Sequence, residues 1–211
     1  SSAIKDQQPA IAITDTNNLF SALEFSIKAS GEGIQPIIGC QLSIDMQDAG
    51  DGETKSGREH LRVFPSIVLL ASTQIGYQNL VELLSSAYLK GSDDEAVHIN
   101  LSWLEGKSDG LIALTGGPSG PINNAFENGR KNFAIERAQK LSELFPNRLY
   151  IELQRPRGYN RSLEANLVNL AYDQELPIVA TNESFFPSEE DFDAHDALMA
   201  VANNTVVSDE N

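Results

Sequence analysis

The sequence predicts an α/β fold in which buried strands alternate with amphipathic helices. Short, β-branched apolar runs recur along the 211 residues, and most of them are followed by apolar residues at helical spacing. Runs that are apolar without alternation are typical of strands buried on both faces. Because strand and helix alternate, the pattern predicts a parallel sheet with helical crossovers, open or closed into a barrel.

Six strands are predicted, centred near residues 12, 38, 68, 112, 151 and 179. The first helix is expected to be capped within 15–18, to carry Leu19, Phe20, Leu23 and Ile27, and to end at the glycines of 31–33. Later helices are predicted over 75–89, from 121 to about 145, up to about 175, and over 189–202. Residues 47–61 are polar and glycine-rich, which predicts an exposed loop insertion or hairpin tip.

The composition favours one folded, acidic domain spanning 1–211. Hydrophobic residues make up 41% of the chain, and 15 Lys+Arg stand against 30 Asp+Glu, which gives a formal charge of −15. A field of that sign excludes a basic nucleic-acid-binding module. One cysteine, Cys40, allows no intramolecular disulfide, and no apolar run suffices to cross a bilayer. We expect a cytoplasmic protein, and the abrupt polar start suggests a fragment.

Residues just past the predicted strands are where ligands gather in such folds. Asp15 and Glu183 are the carboxylates at these positions. Together they could hold a weakly bound Mg²⁺ or Mn²⁺. The competing interpretation is a helix cap at Asp15 and a solvated Glu183, and it is favoured because a hydrolytic metal site needs more ligands.

The remaining reactive residues have structural interpretations. His60 and His98 are predicted to be solvated in polar loops, and His195 to be a structural histidine of the last helix. Cys40 and Trp103 are predicted to pack rather than react. The glycine loop over 114–121, "LTGGPSGP", lies between a strand and a helix, and an ordinary turn is favoured over a phosphate-binding loop.

Several segments together resemble one known family. The segments "PAIAITDTNNLFSALEF", "PIIGCQ", "SIVLLASTQIGYQNL", "YIELQR" and "LPIVATNESFFPSEEDFDAHDAL" occur in the order of the polymerase and histidinol phosphatase (PHP) domains of bacterial DNA polymerase III alpha subunits. The resemblance covers nearly the whole chain. It implies a distorted seven-stranded (β/α) PHP barrel, whose first strand, bearing a His-x-His pair, is expected to be missing from this fragment.

The resemblance also implies a degenerate metal site. Asp15 matches a retained family ligand, and Glu183 stands where the family has an aspartate. Histidine or glutamate ligands are replaced at the other positions, which are Thr16, Gln41, Ser66, Pro156 and Phe185. Neutral oxygens compensate the charge of clustered cations poorly. No bound metal, cofactor or catalytic residue is therefore expected.

The sequence allows three functions. The resemblance implies a non-catalytic scaffold within a DNA-directed DNA polymerase of the bacterial replisome, whose nucleotidyltransferase chemistry would lie in other domains of the parent chain. That scaffold is expected to dock the proofreading exonuclease subunit, epsilon, and to make no direct nucleic-acid contact. One alternative is a residual metal-dependent phosphoesterase or proofreading nuclease that uses Asp15 and Glu183. The other is an unrelated α/β protein that binds an anion at Gly116.

Overall fold

The computed structural model describes residues 2–48, 53–54, 62–92, 94–156, 159–182, 184–186, 188–203 and 205–207. Seven α-helices form within these residues: α1 (Ser2–Lys5), α2 (Ala22–Gly31), α3 (Gln74–Leu89), α4 (Pro121–Glu127), α5 (Lys131–Leu144), α6 (Arg161–Asp173) and α7 (Phe192–Asn203). The strands within the same residues are β1 (Ala10–Ile13), β2 (Gln35–Asp45), β3 (Glu53–Thr54), β4 (Arg62–Val63), β5 (Ser66–Ala71), β6 (Ile99–Asn100), β7 (Leu111–Leu114), β8 (Leu149–Leu153) and β9 (Ile178–Ala180).

All six strands predicted from the sequence are present, in one curled sheet of order β1-β2-β5-β7-β8-β9. The short strand β6 adds a seventh member by pairing with β2, and β3 pairs with β4 in a separate hairpin. This mixed α/β arrangement, with a curled sheet that does not close over the part of the chain that the structure describes, agrees with the partial barrel that the resemblance implies. Within the described residues the end strands β1 and β9 do not pair with each other. β1 is mostly half-buried, and two of the three residues of β9 are exposed.

The prediction of a parallel sheet is wrong at β5. This strand runs antiparallel to both β2 and β7, whereas the β1–β2, β7–β8 and β8–β9 pairs are parallel. No predicted helix separates β2 from β5, so the chain returns beside β2 in the opposite direction. After α3, the added strand β6 and a 3-10 helix at Leu101–Leu104 precede β7, which enters antiparallel to β5.

The core lies between this sheet and helices α3 to α6. Helix α3 contributes the face that its spacing predicts, and Thr73 caps it by accepting a hydrogen bond from the Gly76 amide. Cys40 is fully buried on β2 and packs in the core, as predicted, and burial raises the pKa of its thiol to about 12. The largest fully buried apolar side chains are Phe145, Leu42, Ile44, Met46, Ile67, Leu69, Leu80, Ile99, Leu104, Leu111 and Ile122.

Helix α2 begins later than predicted, so Asp15 is not its cap. Beyond Ile13 the chain stays paired with β2, because Thr16 forms a parallel bridge with Gln41 and the Asn17 amide donates to the Gln41 carbonyl. The helix then starts at Ala22. Leu19 and Phe20, predicted to lie in the helix, precede it. Ala22 and Ala29 are its buried residues, whereas the side chains of Leu23 and Ile27 are 74% and 66% exposed.

The loop predicted over 47–61 is anchored at its start. The side chain of Asp48 is 6% exposed and accepts hydrogen bonds from Arg137 Nε at 2.9 Å and Lys140 Nζ at 2.8 Å, both on α5. Strands β3 and β4 form the expected hairpin. Residues 49–52 and 55–61, which include the predicted surface residue His60, lie outside the described residues.

His98 is buried, so its prediction as a solvated loop residue is wrong. It is 7% exposed, its ring stacks on Phe64 with 3.9 Å between ring centroids, and its Nδ1 lies 2.8 Å from the Ala96 carbonyl oxygen. The aromatic partner is 34 residues away along the chain, so local polarity did not reveal it. Within the described part of the chain, no helix is both long and apolar enough to cross a membrane.

Candidate functional site

The residues past β1 meet β2 at one edge of the sheet. The Asp15 carbonyl oxygen accepts hydrogen bonds from the Gln41 amide at 3.1 Å and from Cys40 Sγ at 3.1 Å. Asp15 is half-buried, and Thr16 beside it is exposed. The fold therefore brings three of the positions predicted from the resemblance, Asp15, Thr16 and Gln41, close together through backbone pairing.

Gln41 and Ser66 form a neutral hydrogen-bonded pair on neighbouring strands. The side-chain amide Nε2 of Gln41 donates to Ser66 Oγ at 2.8 Å, and Ser66 is buried at the start of β5. The Gln41 amide nitrogen and the Ser66 hydroxyl oxygen are thus bonded to each other. An amide and a hydroxyl so paired are poor ligands for a divalent cation, because neither brings a charge to offset its lost hydration.

On the other side of Ser66, the sheet edge is occupied by a buried carboxylate. Glu152, near the end of β8, is 2% exposed. Its carboxylate accepts hydrogen bonds from the Gly116 amide at 2.9 Å, from Gln154 Nε2 at 3.1 Å and from the Thr181 hydroxyl. Its backbone amide donates to Thr115 Oγ1 at 2.9 Å. These bonds join the ends of β7, β8 and β9 into one network.

Sequence analysis did not identify Glu152 or Thr181. One signal was available, because Glu152 is the acidic residue of the otherwise apolar strand "LYIEL". A carboxylate within a buried strand must find donors in the fold, since burying it without them is strongly unfavourable. Besides Gln154, two residues away, those donors are Gly116 and Thr181, which lie in segments distant in sequence that no local pattern could reveal.

The glycine loop does not present a vacant anion site. Gly116 has φ +85°, the left-handed conformation that glycine adopts without a Cβ penalty, and its amide already donates to Glu152. Helix α4, which follows this loop, has seven residues and begins with Pro121, which has no amide proton. Because the Gly116 amide is used within the fold, the structure favours the structural interpretation of this loop over anion binding at Gly116.

Pro156 and Phe185, the other predicted positions that the structure describes, have different neighbours from the Gln41–Ser66 pair. Pro156 lines a cavity between α4 and α6. Phe185 is largely exposed, and its ring centroid lies 5.3 Å from that of His195, which also contacts Phe186. His195 is thus a packing histidine, as predicted. Glu183 lies outside the described residues.

The residues at this edge do not fit a cluster of divalent cations. Asp15 lies near Gln41 and Ser66. Among the predicted positions within the described residues, it is the one acidic residue. Across the described ranges, no group of three or more His, Cys, Asp or Glu side chains is placed to hold a metal ion. The edge contains two separate hydrogen-bonded groups, the Gln41–Ser66 pair and the network around Glu152 and Thr181.

Comparison with known proteins places the chain in a family. The PHP domain family matches residues 1–156. The chain is 38% identical over 207 residues to the DNA polymerase III subunit alpha of Caulobacter vibrioides (strain NA1000 / CB15N). The matched region covers 97% of this chain and 18% of that protein. Identity to the DNA polymerase III subunit alpha of Vibrio cholerae (serotype O1) is 34%, and to that of Escherichia coli (strain K12) 35%, each covering 95% of this chain and 16% of the relative.

The chain thus spans less than a fifth of the length of these curated relatives. The family match, by contrast, extends over 156 of the 211 residues and includes strands β1 to β8. It also contains Asp15, Gln41, Ser66 and Glu152, the residues that organise the sheet edge. The chain belongs to the PHP domain family.

Proposed function

We propose that this PHP domain is a non-catalytic scaffold within the alpha subunit of a bacterial replicative DNA polymerase, in the cytoplasm. The similarity to polymerase alpha subunits over nearly the whole chain supports its place in such a protein. The proposal assigns no metal, cofactor or catalytic residue to this domain. DNA synthesis would be carried out by other domains of the parent chain.

The hydrogen bond from Gln41 Nε2 to Ser66 Oγ is the observation that supports a non-catalytic role for this domain. By resemblance to the family, these two positions hold a glutamate and a histidine when metals are bound. Here they satisfy each other, and each replacement removes an anionic or imidazole ligand. Asp15 and Glu183 would remain as the carboxylates of the site, and two carboxylates suit only a weakly held cation.

The formal charge of −15 supports a role in contacting protein rather than DNA. A field of this sign repels a phosphate backbone and attracts a partner with a basic surface. We propose that the partner is the proofreading exonuclease subunit, epsilon. Such a scaffold would hold the exonuclease close to the polymerase without contributing residues to its chemistry.

Metal addition is expected to leave the stability of this domain unchanged. A ligand present at 100 times its dissociation constant stabilises a folded protein by about 2.7 kcal/mol, which raises the unfolding midpoint by several degrees. We expect no such shift when millimolar Mn²⁺ or Zn²⁺ is added to the dialysed chain. Stoichiometric metal, together with phosphatase activity that Asp15→Ala abolishes, would contradict the scaffold and support a residual phosphoesterase.

Docking is tested by mixing the purified chain with epsilon and following co-elution in size-exclusion chromatography. We expect a complex that weakens as salt rises, because charge complementarity contributes to it. An unrelated protein of similar size and acidity serves as the control for nonspecific attraction. If epsilon elutes alone at every salt concentration, the domain is not its docking site.

A further inference from the structure

The negative charge of the chain is concentrated in one segment. Residues 162–211 contain 11 Asp and Glu and no Lys or Arg, whereas residues 1–161 contain the other 19 acidic residues and all 15 basic ones. This segment therefore carries a formal charge of −11 out of −15, and it includes most of α6, strand β9 and helix α7. A field of this sign attracts a basic surface and repels an acidic one.

Helix α7 presents an apolar face to solvent. At about 3.6 residues per turn, its large apolar side chains lie within one half of the helix circumference. These side chains, which we call the α7 face, are Phe192, Leu198, Met199 and Val201. All are exposed, Leu198 by 64% and Val201 by 78%. An amphipathic helix normally turns such a stripe toward a core, but here it remains uncovered over the part of the chain that the structure describes.

The other half of α7 is acidic and lies toward the rest of the domain. It carries Asp193 and Asp196 together with Ala200, which is the one buried side chain among those described in this helix. Glu190 and Asp191 precede the helix. Carboxylates therefore border the α7 face along one side and at its N-terminal end.

Aromatic rings extend the α7 face beyond the helix. The ring centroid of His195 lies 5.3 Å from those of Phe185 and Phe186, and Phe186 in turn contacts Phe192 edge to face. Phe185 is also largely exposed. Single exposed apolar side chains are ordinary, whereas a contiguous exposed patch marks an interaction surface.

The segment that carries α7 is shared with polymerase alpha subunits. The PHP family match ends at residue 156, whereas the match to the Caulobacter vibrioides subunit covers 97% of this chain and therefore includes α7. More than four fifths of that relative lies outside the match. A helix elsewhere in such a polypeptide would be tethered near α7 at high effective concentration.

We propose that the α7 face docks a basic amphipathic helix that belongs to another part of the parent alpha subunit. Apolar side chains of that helix would cover Leu198 and Val201, and its Lys or Arg side chains would pair with the bordering carboxylates. A helix fits better than a strand, because the backbone groups of α7 are bonded within the helix. A second copy of this chain would instead bring together two segments of charge −11, which repel each other. The inference rests on the proposed place of the chain in an alpha subunit, but not on the docking of epsilon.

A synthetic basic peptide tests the chemistry of this surface. The peptide has about 18 residues of leucine, alanine and lysine, with the leucines at helical spacing and the lysines beside them. We expect its fluorescence anisotropy to rise to saturation on titration with the chain, and the affinity to fall as salt rises. A matched peptide with glutamate in place of lysine is expected to bind at least about 10-fold more weakly. Equal binding of the two peptides, or no saturable binding of the basic one, would overturn the proposal.

The parent alpha subunit distinguishes a helix of the same polypeptide from one of a separate protein. If another part of the subunit already covers the α7 face, the basic peptide must compete with a tethered helix. We expect its affinity for the parent subunit to be about 100-fold lower than for the 211-residue chain. Equal affinity for both would show that the face is open in the subunit, and would contradict the proposal.

Two variants and one control locate the binding. Leu198→Ser and Val201→Ser remove apolar surface that the fold itself does not bury, so the unfolding midpoint of the 211-residue chain should not change. Each is expected to weaken peptide binding about 10-fold. The control Leu89→Ser removes an exposed leucine at the end of α3 and should bind like the unchanged chain. Unweakened binding in both α7 variants would refute the site.

Two further measurements separate this inference from its alternatives. Sedimentation of the chain alone is expected to show a monomer. A dimer that Leu198→Ser and Val201→Ser dissociate would assign the α7 face to a second copy and contradict the proposal. Failure of epsilon to bind, together with the expected peptide results, would refute the docking of epsilon and support the present inference.

Discussion

Asp48→Ala is expected to lower the free energy of unfolding by about 3 kcal/mol, near the lower limit for breaking a buried ion pair. The Arg137 guanidinium that Asp48 contacts is 2% exposed, so its charge cannot be rehydrated in the folded state. Arg137 Nη1 keeps its hydrogen bond to the Pro121 carbonyl oxygen at 2.6 Å, which limits the loss. Urea denaturation monitored by circular dichroism measures the change.

Lys140→Ala is the matched control for this pair. The Lys140 side chain is 42% exposed, so its contact with Asp48 is screened by solvent and should contribute less than about 1 kcal/mol. The double variant Asp48→Ala, Arg137→Met should recover part of the stability, because it removes the buried charge together with its partner. If Asp48→Ala lowers the free energy of unfolding no more than Lys140→Ala does, the contact between Asp48 and Arg137 does not act as a buried ion pair.

The same pair predicts a dependence of stability on acid. Burial by itself would raise the pKa of Asp48, but the hydrogen bonds and charges of Lys140 and Arg137 hold this pKa below its ordinary value of 3.8. A group whose pKa is depressed by folding contributes stability above its unfolded pKa and loses it as the pH falls through the folded pKa. The difference in free energy of unfolding between the parent and Asp48→Ala should therefore shrink as the pH falls below 3.8.

Gly116→Ala is expected to destabilise the domain by about 3 kcal/mol or more, since two penalties combine. The backbone of Gly116 has φ +85°, where an alanine is strained. A Cβ added there would lie 1.8 Å from the Ser66 carbonyl oxygen, far inside van der Waals contact. Relief requires β5 or the loop to move, which would also disturb the hydrogen bond from Gly116 to Glu152. Thermal unfolding of the variant measures the loss.

Two other glycines separate these penalties. Gly129 has φ +69° with nothing within 4 Å of an added Cβ, so Gly129→Ala should cost only the backbone strain of about 1 to 2 kcal/mol. Gly31, in α2, has open space and no positive φ, so Gly31→Ala should be neutral or slightly stabilising. A Gly116→Ala variant no less stable than Gly129→Ala would contradict the close approach of Gly116 to Ser66.

The order of strands and helices was predictable because each element leaves a pattern of apolar residues within its own short segment. Unalternated runs such as "SIVLLA" and the spacing of Leu80, Leu83 and Leu84 predicted β5 and the buried face of α3, and both are confirmed. The direction of β5 was not predictable in this way. Whether a strand enters parallel or antiparallel depends on the route by which the chain returns to the sheet. The chain passes from β2 to β5 through the β3–β4 hairpin without a helix, and from β5 to β7 through β6, whose two residues leave no clear pattern.

At the candidate site, residue identities could be read from the chain, whereas contacts could not. The resemblance identifies Gln41 and Ser66 as residues that stand where the family has metal ligands. Their mutual hydrogen bond could not be predicted, because it depends on the register in which β2 and β5 pair. The burial of His98 against Phe64 and the bond from Gly116 to Glu152 escaped prediction for the same reason. These contacts join residues 34 and 36 positions apart, and such long-range packing leaves no periodic pattern in a single sequence.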